Sequence, residues 1–214
     1  MNIDYARQQM VEQQARCWDV LDPLILGVLG SVRREDFVPE IYRSMAFADT
    51  EIPIGHGESM MTPTYEGRLL QALSIDPEDS ILEIGTGSGF VTACLATLAA
   101  RVYSIDIHDD FTQSAAARLE AFDNVQLDTM DATQSLPDGA FDAIAVTGSI
   151  EEFDTRFVDA LAPGGRLFVV VGKAPAMQAR LITRTGDSDW TSETLFETVL
   201  KPLVHGAPPP QFAF

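Results

Sequence analysis

The chain is poor in the residues that build metal centres, disulfide staples and nucleic-acid grips. It holds two cysteines and three histidines in 214 residues. Cys17 and Cys94 share no metal-ligand spacing, and nothing around them favours a disulfide. Cys17 falls on an expected N-terminal helix, whereas Cys94 sits in an apolar helix as a small core residue. His56, His108 and His205 are scattered along the sequence, so no metal site is expected. Basic residues are scarce as well: 14 Lys and Arg stand against 32 Asp and Glu, a net charge of −18. That balance disfavours nucleic acid and anionic membranes as partners. It describes a soluble, self-repelling surface, or a chain from a salt-rich or acidic proteome. No apolar run approaches a transmembrane span. The opening MNIDYARQQMVEQQ is polar and lacks the apolar core of a signal segment, so a cytoplasmic location is expected.

What is present is enough for a sizeable core. Apolar residues make up 46% of the chain, with no internal repeat or low-complexity tract. The length fits one domain, or one domain with a modest extension. Residues Asp4–Cys17 and Pro23–Val32 read as helices. From Phe37 to Pro63 prolines and glycines punctuate a loop-rich stretch. Thr64–Leu73 reads as a helix with Leu69, Leu70 and Leu73 on one side.

A regular alternation then begins. Strands are expected at Ser80–Ile84, Arg101–Ile105, Val125–Thr129, Phe141–Thr147 and Arg166–Gly172. Helices are expected at Val91–Ala99, Phe111–Ala121 and Phe153–Leu161. Such alternation means an α/β fold with a doubly wound, mostly parallel sheet of the Rossmann type. The stretch Leu181–Val199, with a turn at Thr185–Asp189, reads as a hairpin that gives the sheet an antiparallel C-terminal edge. Ala207–Phe214 is Pro-rich and reads as extended. Residues 1–63 thus form an N-terminal helical extension and loop packed on a core of residues 64–214, in a single compact domain.

The most informative segment is Ile81–Phe90, ILEIGTGSGF. An apolar strand ends at Glu83–Ile84 and runs into Gly85, Thr86, Gly87, Ser88 and Gly89, followed by a helix. Glycines there let the backbone adopt φ > 0 and let a ligand lie against bare main chain. This is the nucleotide-binding turn at the end of the first strand of a doubly wound sheet. Asp106 ends the next strand, 17 residues after Gly89, where a carboxylate can accept both ribose hydroxyls. Asp131 ends the third strand, followed by Ala132, and is placed to accept from an adenine amino group. The set G-x-G-x-G with Glu83 just before it, Asp106 with Ile107, Asp131 with Ala132 and, at the end of the fourth strand, Thr147 describes an adenosyl ligand. It offers no pyrophosphate cradle, so S-adenosylmethionine fits better than NAD.

Several segments together carry a family likeness: Met10–Val11 and Gln14–Arg16, Arg34–Pro39, Ala48–Asp49, Ile52–Gly57, the glycine turn and Pro202–Val204. On these the chain resembles the protein-L-isoaspartate O-methyltransferases over nearly its whole length. The loop PIGHG ahead of the glycine turn is the specific part. The resemblance implies methyl transfer from S-adenosylmethionine to the α-carboxylate of isoaspartyl residues in damaged proteins, that is, protein repair. No metal is required by that chemistry.

The resemblance also locates a departure. The family's acceptor loop reads G-Q-T-I-S-x-P, whereas here Gly57–Pro63 reads GESMMTP. Met61 falls at the family's active-site serine, Glu58 at its glutamine and Ser59 at its threonine. Thr147–Gly148–Ser149–Ile150 also departs from the family's pattern after the fourth strand. Ser59, Met61 and Thr62 are therefore the expected acceptor-loop residues, with His56 and Glu58 as further members. Glu58 would repel an anionic acceptor unless a cation intervenes, and Met61 cannot donate a hydrogen bond. Three functions stay open: isoaspartyl methylation with a divergent loop, methylation of another acceptor such as a small molecule, and cofactor binding without catalysis. The oligomeric state is not legible in the sequence.

Overall fold

A computed structural model describes residues 2–206. The expected extended tail at Ala207–Phe214 lies outside the described residues. The chain opens with α1 (Ile3–Gln9), capped by Asn2, whose side chain accepts from the Tyr5 N–H. The winding then loosens over Met10–Ala15 and tightens over Arg16–Trp18. The stretch expected as one helix is thus helical throughout but changes pitch twice, ending at Asp19 in the left-handed region. Helix α2 (Pro23–Ser31) has Asp22 as its cap and Pro23 at its first position. Pro there loses no needed N–H, since the first turn has no partner for it.

The loop-rich stretch holds more structure than its composition suggests. A 3₁₀ segment covers Glu40–Met45, and β1 (Ile52–Gly55) pairs antiparallel with β2 (Glu58–Met60). Helix α3 (Pro63–Leu73) follows, capped by Thr62.

The remaining elements build one sheet. They are β3 (Ser80–Ile84), α4 (Phe90–Leu98), β4 (Arg101–Asp106), α5 (Asp109–Arg118), β5 (Val125–Thr129) and β6 (Phe141–Ile150). Then come α6 (Arg156–Asp159), β7 (Leu161–Lys173), β8 (Ala176–Arg184) and β9 (Trp190–Thr198). The strand order is β5-β4-β3-β6-β7-β8-β9. The first five of these run parallel, β8 pairs antiparallel with β7, and β9 pairs antiparallel with β8. The expected α/β Rossmann-like fold is therefore present, antiparallel edge included. Two elements differ in extent. The helix expected at Phe153–Leu161 shrinks to α6, because Leu161 is taken into β7 opposite Phe141. Strand β8 starts well before Leu181, at a tight turn where Gly172 has φ 124. A Cβ on Gly172 would lie 2.5 Å from the Ala176 carbonyl oxygen, so only glycine closes this turn.

Side chains alternate across β3 as a strand requires. Ile81 packs with α4 and the N-terminal segment, whereas Leu82 and Ile84 pack on the opposite layer with Phe157 and Leu167. Met10, Leu29 and Phe37 share the first cluster with Met60 and Met61, so the N-terminal segment and the core bury one continuous apolar interior. Among the described residues, no helix is long and apolar enough to cross a membrane.

One buried cation ties the N-terminal segment to α3 and α4. Arg34 has no solvent exposure. Its Nε donates to the Ala46 carbonyl at 2.9 Å and its Nη2 to the Met61 carbonyl at 2.8 Å. Its Nη1 pairs with Glu66 on α3, and the guanidinium lies 4.8 Å from the centre of the Phe90 ring. Removing the guanidinium leaves the Glu66 carboxylate buried without its partner. Arg34→Met should lower unfolding free energy by about 3–5 kcal/mol, measured by urea denaturation. The double variant Arg34→Met/Glu66→Met should recover much of that loss.

Candidate active site

The sheet presents a cleft at the C-terminal ends of β3, β4 and β6. Strand β3 is the switch point, with β4 on one side and β6 on the other, where doubly wound sheets bind ligands. The cleft encloses about 1060 Å³, its open mouth included. Its walls come from the glycine turn, the ends of β4 and β5, the β1–β2 hairpin and the segment Leu200–Val204.

The glycine turn forms the floor. The N–H groups of Gly85 and Thr86 donate to the Ile105 carbonyl at 2.8 and 3.2 Å. Gly85 has φ 99, and a Cβ there would stand 2.1 Å from Thr147 Oγ1. Thr147 needs that space, because its hydroxyl lies 3.0 and 2.9 Å from the Ile84 and Gly85 carbonyl oxygens. Thr86 and Gly87 line the cleft with Thr147, Ile107 and Ala132.

Asp106 ties the turn to the neighbouring strand. Its Oδ2 accepts the Gly87 N–H at 2.8 Å and its Oδ1 the His108 N–H at 2.9 Å. Burial pushes its carboxyl above the ordinary range, and these two N–H groups work against that rise. Each oxygen retains acceptor capacity, and the carboxylate lines the cleft.

Asp131 also lines the cleft, and is more heavily engaged. Its Oδ1 accepts from the Thr133 N–H and hydroxyl, and its Oδ2 from Gln134 Nε2. His205 Nδ1 approaches the same Oδ2 at 2.8 Å. Burial acts to raise its pKa, but the hydrogen bonds from Thr133, His205 and Gln134 prevail and hold it low. The carboxylate thereby fastens the C-terminal segment to the end of β5.

Two residues expected at the cofactor act beneath it instead. Gly89, with φ 87, caps α4, and a Cβ there would meet Ala115 at 3.2 Å and Leu119 at 3.3 Å. Its bareness serves the packing of α4 on α5. Glu83 has no exposure and does not reach the cleft. Its Oε2 accepts from Thr92 and Ser104 hydroxyls, both at 2.5 Å, and Ser104 contacts Thr86 at 2.6 Å. Glu83 therefore braces the turn from below, and its Oε1 has no partner.

The β1–β2 hairpin builds another wall of the cleft. Ser59, Met61 and Glu58 line the cleft. Met61 is 7% exposed, so its side chain is a wall rather than a polar contact. Thr62 does not line the cleft. Its Oγ1 caps α3 through the Tyr65 N–H at 3.3 Å and lies 2.9 Å from the Thr64 hydroxyl. His56 also stands outside the lining residues, at the hairpin tip, with Nε2 2.9 Å from Asp110 Oδ2. It does not point to a general base over the cleft.

Lys201 is the residue that sequence reasoning missed. Its Nζ donates to Glu58 Oε1 and to the Gly57 carbonyl, both at 2.6 Å. The two charges are 143 residues apart in sequence, and no local pattern joins them. The segment that carries Lys201 also explains the departure after β6. The Ser149 hydroxyl donates to the Leu200 carbonyl at 2.8 Å, and backbone bonds link Ser149 to Lys201 and Leu203. A Cβ on Gly148 would lie 2.7 Å from Leu203 Cδ2. Gly148 and Ser149 thus let the C-terminal segment lie against the end of β6.

The glycine turn, the carboxylates ending β4 and β5, and the strand order define a class I S-adenosylmethionine-dependent methyltransferase. Residues 5–207 match the family model described as protein-L-isoaspartate(D-aspartate) O-methyltransferase. The chain is 38% identical over 182 residues to a protein-L-isoaspartate O-methyltransferase of Opitutus terrae, covering 83% of this chain and 78% of that one. It is 34% identical over 205 residues to one of Methylorubrum populi, covering 95% and 97% respectively. A Plasmodium falciparum structure named for the same activity, in complex with S-adenosyl-L-homocysteine, has the same fold. Its TM-score is 0.79 at 22% identity, covering 92% of this chain and 98% of that chain. The chain belongs to the protein-L-isoaspartate O-methyltransferase family. Its methyl donor is accordingly S-adenosylmethionine, and the bare glycine turn with Asp106 and Asp131 fits the adenosyl group.

Two tests follow from this geometry. Asp106→Ala should weaken S-adenosylhomocysteine binding by at least about tenfold in calorimetry, through loss of a charged hydrogen-bond acceptor. Burial also pushes the Glu83 carboxyl up to about 8. The folded chain then keeps a proton that the unfolded chain releases near pH 4.5, so wild-type stability falls as pH rises through that window. Glu83→Gln removes this dependence, so its stability relative to wild type should climb between about pH 4.5 and 8 and level off above. Urea denaturation across that range reads the difference.

Proposed function

We propose that this methyltransferase acts on the α-carboxylate of isoaspartyl residues in proteins or peptides. The observation that carries this reading is the Lys201–Glu58 pair at 2.6 Å on the acceptor side of the cleft. A lone Glu58 would repel an anionic acceptor, but paired with Lys201 it adds no net charge there. Lys201 has three donors, and Glu58 and Gly57 take two. The third remains for a carboxylate oxygen, and the Ser59 hydroxyl also lines the cleft.

The chemistry asks little else of the chain. A carboxylate is already ionised at pH 7. Its oxygen attacks the methyl carbon of the sulfonium, the C–S bond breaks, and the electron pair returns to sulfur. The products are a methyl ester and a neutral thioether. Positioning and exclusion of water supply the rate. The walls of the glycine turn, Met61 and Leu200–Val204 perform both tasks. No proton moves, which agrees with a His56 turned toward Asp110.

Incubation with labelled donor and an isoaspartyl peptide, with the matching aspartyl peptide as control, tests the reading. Base-labile label should enter only the isoaspartyl peptide. Donor binding without such label would overturn the proposal and leave another acceptor, or binding alone. Lys201→Met should raise KM for the isoaspartyl peptide about tenfold, since it exposes the Glu58 charge and removes a charged donor. The double variant Lys201→Met/Glu58→Gln should recover part of the loss.

A further inference from the structure

Two of the histidines that stand far apart in sequence meet at the rim of the cleft. His56 occupies the hairpin tip between Gly55 and Gly57, with φ 51. His108 precedes α5, and Asp110 lies in its first turn. The imidazole rings stack with centroids 4.0 Å apart and planes 11° from parallel. His56 Nε2 lies 3.0 and 2.9 Å from the two Asp110 oxygens. One ligand atom from each of the three residues falls within 4.8 Å of the other two. His108 Nε2 is buried and has no hydrogen-bond partner.

We propose that His56, His108 and Asp110 form a site for a divalent cation of the zinc class. Two imidazoles and one carboxylate are the donor set that borderline ions such as Zn²⁺ prefer, whereas Mg²⁺ and Ca²⁺ demand oxygen. Zinc holds nitrogen and oxygen ligands at roughly 2.0–2.2 Å, in the plane of each imidazole, so the two rings must turn out of their parallel stack for their nitrogens to converge on one ion. Side-chain rotation provides that movement, because His56 stands between two glycines on an exposed turn. Three protein ligands leave a fourth position for water. Entry is open, since the His56 and Asp110 side chains are 43% and 59% exposed.

A simple ion pair accounts for less. It explains His56 against Asp110, but leaves the buried Nε2 of His108 without a partner. A bound cation uses all three groups. It would also join the hairpin to the start of α5, where the His108 N–H is already held by Asp106. The site therefore bridges the acceptor hairpin and the strand that carries the ribose-binding carboxylate. Its assignment does not depend on which acceptor is methylated.

Calorimetric titration of the untagged chain with ZnCl₂ tests this, in buffer with excess Mg²⁺ to occupy the diffuse acidic surface. One saturable zinc site per chain is expected. His108→Gln, Asp110→Asn and His56→Asn should each weaken it by at least about tenfold. Asparagine is chosen at His56 because it tolerates the left-handed backbone there. Imidazole NMR of the wild-type chain gives a second readout free of folding effects. Zinc should shift the His56 and His108 resonances and leave those of His205 in place. Absence of saturable binding overturns the proposal. So does binding that survives all three substitutions, or zinc shifts confined to His205.

Discussion

A guanidinium with no water around it ties the two halves of the cleft together. Arg34 comes from the N-terminal segment, yet it grips Met61 of the acceptor loop, Glu66 of α3 and the face of Phe90 at the start of α4. Phe90 is the first residue after the glycine turn. The loop that carries Met61 and the glycine turn are therefore registered against one planar group. A planar fork can hold several oxygens at fixed directions, which a lysine ammonium cannot do. Methyl transfer depends on such registration, since the rate comes from aligning an oxygen with a carbon and a sulfur.

Beneath the donor site a second buried group does similar work. Glu83 is joined to Thr92 of α4 and Ser104 of β4, and Ser104 to Thr86 of the turn. The turn is thus fixed from below by Glu83 and from the side by Asp106. Two acidic side chains, one deeply buried and one at the cleft wall, thus brace the turn from two directions. Gly85 and Gly89 show why the turn is bare at both ends. One makes room for Thr147 and the other for α5.

The alternating strands from Ser80 to Gly172 were legible because each is a short apolar run bounded by turns, and the period is unambiguous. That Gly85, Asp106 and Asp131 line the cleft follows from the same pattern, since strand ends fix where residues open onto it. The β1–β2 hairpin was not, because strands of four and three residues hold too little pattern to read. Residues Leu200–Gly206 are held by isolated bonds to β6 and Asp131 rather than by a repeating ladder, and such contacts leave no periodic trace. Lys201 against Glu58 and His56 against Asp110 are pairs made only by the fold. Glu83 was misplaced because adjacency to the glycine turn in sequence does not say on which face of β3 a side chain emerges.

The charge of the whole chain and the charge of the cleft point in opposite directions. A net charge of −18 opposes the approach of any anionic peptide from afar. At physiological ionic strength that field fades within about 8 Å, so it governs encounter more than seating. Inside the cleft the nearest charges decide, and there Lys201 offsets Glu58. An acidic surface can thus surround a cleft in which one carboxylate is locally offset. On the proposed reading, acceptor choice becomes a matter of one cation's position. On that reading Met61 offers no donor, yet the charge that selects an anion comes from Lys201, far from the loop in sequence.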